Sequence, residues 1–117
     1  MKFFYLVFFL LGATVCNAAN PEKEIESLLH YLGALDGAVF IRNGSEHTAP
    51  EAEAHLRTKW EKQQDQIHSA EDFIRLCGTQ SSMSGTPYEI RFKDGKQMPA
   101  AEVLRAELKR LRGLKEV

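Results

Sequence analysis

Cysteine is nearly absent. Cys16 and Cys77 are the two in 117 residues. Cys16 lies in an N-terminal segment read below as cleaved, which leaves Cys77 alone and allows no internal disulfide. Small exported domains often lean on disulfides, so this one has to rely on its core. An excess of one charge is lacking too, with 15 basic against 16 acidic residues and a formal charge of −1. A general nucleic-acid binder usually carries a clear basic excess, and no nucleic-acid partner is expected. Repeats, linkers and low-complexity tracts are missing. Beyond the first residues there is no long apolar run, so no transmembrane segment is expected in the mature chain.

What is present begins with Met1-Lys2, a short positive stretch. Phe3–Leu11 is then uninterrupted apolar sequence, and Gly12–Ala19 turns small and polar. This is the order of a secretory signal peptide. The apolar run is shorter than the about 20 residues that span a bilayer. Cleavage after Ala18 puts small residues, Cys16 and Ala18, at −3 and −1. Residues 1–18 are therefore read as a cleaved signal and 19–117 as a single domain, periplasmic or secreted. A lipid-modified Cys16 is the second reading. It is weaker because Val15, rather than Gly, Ala or Ser, precedes it.

Asn20-Pro21 predicts a helix start, with Asn as N-cap and Pro at the first helical position. Ile25, Leu28, Leu29, Leu32 and Leu35 follow as one apolar stripe, and Asp36-Gly37 stops it. Ala38–Ile41 reads as a strand, ended by the turn residues Arg42–Ser45. Thr48-Ala49-Pro50-Glu51 predicts a capping box and a helix to about Gln64. Ala52, Leu56 and Trp60 share its buried face. Ser69 caps a short helix to Cys77, with Gly78 as its stop. Thr79–Tyr88 is an uncharged loop of Ser, Thr, Gly and Pro. Such residues break regular structure and bond their own backbone. Tyr88–Phe92 alternates as a half-buried strand. Asp94-Gly95 is a two-residue hairpin turn, with Lys96–Met98 returning. Pro99 opens a last helix striped by Val103, Leu104, Leu108 and Leu111, with Gly113 as its end. The expected fold is α+β, four helices with a small antiparallel sheet of two to three short strands.

Four pieces of the chain stand in an informative order. They are Phe40-Ile41-Arg42-Asn43-Gly44, then His55-Leu56 with Lys59, then Ser69–Ile74, then Ser81–Tyr88. This ordered set resembles a family of small exported bacterial proteins catalogued as a domain of unknown function. The resemblance runs from about Ile25 to Leu111. It implies an envelope protein of a Gram-negative bacterium, and it supplies no established activity and no catalytic residues. Members often carry cysteines where this chain has Ala38 and Phe92, so a link between those positions would be lost here.

The residues offer three candidate chemistries. His47, Glu51 and His55 recur at intervals of four. His47 precedes the helix cap, though, and zinc needs three or four convergent ligands, so no metal and no cofactor is expected. Ser81, Ser82 and Ser84 with His55 as base and Glu71 as orienter give a hydrolase reading. No Gly-x-Ser-x-Gly elbow supports it. The basic residues Arg105, Lys109, Arg110, Arg112 and Lys115 of the last helix read as a solvated face set near its C-terminal dipole. Cys77, at helical spacing from Phe73 and Ile74, reads as a buried thiol.

The leading reading is a small binding or interaction module with an envelope partner or ligand and no chemistry of its own. The alternative is a small envelope hydrolase using loop 79–88. If the first strand pairs antiparallel with Tyr88–Phe92, the Arg42-Asn43-Gly44 turn meets that loop. The candidate surface is then Arg42, Asn43, His55, Glu71, Ser82, Ser84 and Tyr88, with Arg42 and Tyr88 as its anchors.

Overall fold

A computed structural model describes residues 20–116. The signal-peptide reading lies outside those residues. Helix α1 spans Pro21–Gly33, strand β1 Val39–Arg42, strand β2 Ser45–His47 and helix α2 Ala49–Lys62. A 3₁₀ turn at Gln64–Gln66 leads to helix α3, Ala70–Cys77. Strands β3 (Glu89–Arg91) and β4 (Gln97–Pro99) follow, then helix α4, Ala100–Glu116. The α+β class is as expected.

The helix starts follow their capping chemistry. The Asn20 side chain accepts from the Lys23 amide, Thr48 and Glu51 form a reciprocal capping box, and Ser69 accepts from the Asp72 amide. These bonds satisfy amides that a bare helix end leaves unpaired. The last helix departs from expectation. It begins one residue after Pro99 and runs through Gly113.

The sheet has four strands in the order β2-β1-β3-β4, all antiparallel, and not two to three. The extra strand is β2. Asn43-Gly44 does not merely end β1. It is a two-residue hairpin turn joining paired Arg42 and Ser45, with φ of 53° at Asn43 and 79° at Gly44. Positive φ at both central residues is what the tight right-twisted hairpin demands, and Asn and Gly tolerate it. Ser45-Glu46-His47 carries no apolar alternation, so composition did not mark it as a strand.

β1 pairs β3 in the register Phe40↔Ile90, and β1 pairs β2 at Phe40↔His47. His47, Phe40, Ile90 and Met98 therefore form one cross-sheet row, with Ile90 wholly buried. Continuing the β1–β3 register sets Ala38 opposite Phe92 and Arg42 opposite Tyr88.

The core is one cluster. It is built on Ile25, Leu28, Leu29 and Leu32 of α1, Phe73 and Ile74 of α3, and Leu104 of α4, all under 2 % exposed. Trp60 of α2 packs edge-on against Phe73, with ring centroids 6.3 Å apart. Gly78 ends α3 at an ordinary φ of −103°, so it is not needed for a left-handed cap. Space is its role, since a Cβ there would come within 2.6 Å of the Leu104 Cδ1. Cys77 is buried, and burial pushes its thiol up to about 11, which keeps it protonated and unreactive. No described helix is long and apolar enough to cross a membrane.

Candidate functional site

The hairpin turn and the polar loop meet. Asn43 Nδ2 donates to Ser81 Oγ at 3.3 Å, and the Ser84 hydroxyl donates to Asn43 Oδ1. Ser81 is the hub of the loop. It is 5 % exposed, and its hydroxyl also accepts from the amides of Met83 and Ser84, both at 3.3 Å. The loop closes on itself through Ser81 N to Thr86 O at 3.0 Å and Gly85 N to Ser81 O at 2.9 Å. Its Ser and Thr hydroxyls thus replace the bonds that a strand or helix would give. Met83 at its tip is 97 % exposed.

Beneath this surface runs a chain of polar side chains. Arg42 Nη1 lies 3.4 Å from both ring nitrogens of His55. His55 Nε2 lies 3.1 Å from the Tyr88 hydroxyl. Lys59 Nζ donates to that hydroxyl at 3.0 Å and to the Gln80 carbonyl at 3.1 Å. The ammonium is 5.0 Å from the Tyr88 ring centroid. With the hydroxyl closer, we take the contact as a hydrogen bond rather than a cation–π stack. Helix α2 sets His55 and Lys59 one turn apart, and the β1–β3 pairing brings Arg42 and Tyr88 to them.

The charge in this network is uneven. Among the described residues neither Arg42 nor Lys59 has a carboxylate partner. Burial and then the Arg42 and Lys59 cations push the His55 pKa below its ordinary value. Geometry points the same way. Arg42 Nη1 is equidistant from the two ring nitrogens, which sets the guanidinium over the ring, where a second positive charge is disfavoured.

Next to the network is a cavity of about 40 Å³. It is walled by Leu32, Phe40, Leu56 and Ala100, with Arg42 and His55 at its polar side. That is room for one or two waters. His47 Nε2 is buried there with no hydrogen-bond partner among the described residues, and its Nδ1 lies 3.8 Å from Glu51.

Five of the seven expected surface residues come together: Arg42, Asn43, His55, Ser84 and Tyr88. Tyr88 is only 6 % exposed, so it supports the surface from below and is not a contact residue. Ser82 is exposed on the same loop. Glu71 does not join them. It pairs with Arg112 at 2.6 Å, which pulls its carboxyl below the usual range. Among the described residues no serine hydroxyl reaches a histidine nitrogen, and Glu71 is not there to orient His55. The hydrolase reading has no geometry under it. Nor does any cluster of three His, Cys, Asp or Glu among these residues suit a metal ion.

Lys59 and Ser81 are not among the expected surface residues. The position of Lys59 one turn after His55 is the available signal. Ser81 differs from Ser82 only in where the closed loop points it, which no local pattern encodes.

Comparison with known proteins places these residues in a family. The chain is 37% identical over 70 residues to the uncharacterized protein YfeK of Salmonella typhimurium strain LT2. That stretch is 60% of this chain and 58% of the relative, so the chain spans less than two thirds of that protein. No solved structure matches. The family of unknown function DUF5329 matches residues 19–112, covering the whole network and both turns, and the chain belongs to it.

Proposed function

We propose that the protein is exported to the cell envelope and works there as a small binding module, with no chemistry of its own. The observation that carries this reading is the stitching of two exposed turns into one surface by Asn43, Ser81 and Ser84. A preorganised surface loses little entropy when it binds. Arg42 at its edge lacks a carboxylate partner among the described residues, and arginine is over-represented among residues that dominate binding energy. Met83, at 97 % exposure, offers an apolar contact from a loop whose backbone is already tied down. Export rests on the order of charge, apolar run and small residues at the N-terminus.

One preparation tests both parts. The C-terminally tagged protein is purified from its native cells without crosslinking. Its intact mass should correspond to a chain starting at Ala19. A start at Met1 would contradict the export reading, and a start at a lipid-bearing Cys16 would replace cleavage after Ala18 with a lipid anchor. A specific co-purifying partner should be lost in Arg42→Ala and in Met83→Ser while the melting transition stays nearly unchanged. Equal capture by both variants would remove this surface from consideration.

A further inference from the structure

The Arg42 guanidinium rests against the His55 ring, 3.4 Å from both of its nitrogens. We propose that His55 is an acid-operated latch. Unprotonated, it holds Arg42 against helix α2, and protonated, it expels Arg42 toward solvent. The proposal rests on the 3.4 Å contacts of Arg42 Nη1 with both ring nitrogens and on Lys59, which reaches the same Tyr88 hydroxyl from the other side. A proton on His55 puts a third cation between two that have no carboxylate partner. Like charges at such separations disfavour the charged form.

The surroundings set the direction of the effect. From β1 the ring faces Arg42, from β2 His47, from the residue before β3 Tyr88, and from its own helix Glu51, Lys59 and Lys62. Glu89 also lines the cavity, but its carboxylate is bonded to Gln97 at 2.9 Å. Glu51 holds the Thr48 amide at 2.9 Å in the capping box. Helices α1 and α4 bring only the apolar Leu32 and Ala100 to the cavity. Both nearby carboxylates are bonded to other groups, and Lys59 is held by the Gln80 carbonyl and the Tyr88 hydroxyl, so Arg42 is the cation able to move.

Linkage fixes the sign. His55 has its folded pKa depressed below the free value of about 6.5. The unfolded chain therefore takes up the proton first. Stability is unaffected above about pH 6.5 and falls as the pH drops toward the folded value. What moves is local, because Asn43 still ties the turn to Ser81 and Ser84. The acid form presents Arg42 as a released cation beside the loop. Control of partner binding by this release rests on the proposed surface, whereas the latch itself belongs to the free protein.

Nuclear magnetic resonance on the full mature protein tests it, following the His55 ring and the Arg42 side chain from pH 8 to pH 4.5. The His55 midpoint should lie below about 6.5, and the Arg42 signals should move with the same midpoint. In His55→Gln the Arg42 step should vanish. In Arg42→Gln the His55 midpoint should rise by roughly half a unit or more. The second variant keeps the test alive if the first does not fold. A His55 midpoint at or above the free value, or an Arg42 step that survives in His55→Gln, would overturn the latch. Partner capture at pH 7.5 and pH 5.5 is a separate reading. A latch that titrates without changing capture would refute its regulatory use and leave the binding surface standing.

Discussion

Replacing Trp60 by alanine should lower the stability of the folded chain by about 3–5 kcal/mol, the usual loss for a buried large aromatic. Trp60 is 9 % exposed and closes the α2–α3 contact. It meets the Phe73 ring edge-on at an interplanar angle of 75°. An edge-to-face pair adds to the simple burial of area. The loss is large because α3 is only eight residues long and has no disulfide to hold it. Its hydrogen bonds alone would not keep it helical in water. Urea denaturation should show a lower midpoint with an unchanged slope. A midpoint within error of wild type would mean that Trp60 stands outside the core.

Arg112→Leu should cost about 1–3 kcal/mol, the range for leaving a buried polar group without its partner. Arg112 forks onto Glu24 at 2.9 and 3.0 Å and also reaches Glu71, tying α1, α3 and α4 together. The Glu24 side chain is 5 % exposed, and its carboxylate would be stranded. Arg112 itself is 41 % exposed. Water can therefore reach part of the gap, and the loss should stay below that of a wholly buried pair. The double variant Glu24→Leu with Arg112→Leu should recover most of the stability, since replacing both members of such a pair is often neutral or better. Additive losses in that cycle would contradict the pairing. Acid should weaken the same cluster. Glu71 has its folded pKa depressed by Arg112, so its contribution is present above its ordinary value of 4.5 and fades as the pH falls through the folded value. In Arg112→Leu that part of the acid dependence should shrink.

Sequence reading reached the scaffold wherever one element carries its own signal. The Asn20, Thr48 and Ser69 caps bond as their residue types require, and the apolar stripes of α1 and α4 face the core. The pairing of β1 with β3 was also legible, because neither run is long enough to stand alone. β2 was missed for a specific reason. Asp94-Gly95 and Asn43-Gly44 have the same turn chemistry, but the polar Ser45-Glu46-His47 after the second carries no strand pattern, so it reads as a terminator.

The site was legible in outline only. Arg42, Asn43 and the loop could be brought together from strand pairing. Which hydroxyl becomes the hub, and which lysine is drawn inward, depend on how the loop closes over α2. Glu71 was misassigned because nothing nearby in sequence reveals Arg112, 41 positions away. Its partner comes from the packing of α4 across α3.

The most direct measurement places a photo-crosslinking amino acid at position 82 and, as a control, at the exposed position 102 of α4, in the full-length protein expressed in its native cells. Position 82 lies on the stitched loop and position 102 does not. A discrete adduct identified by mass spectrometry should form from position 82, be absent from position 102, and disappear when Arg42→Ala is added. The absence of any adduct at 82, or the same adduct from both positions, would contradict a binding role for the surface built by the Asn43 turn and loop 79–88.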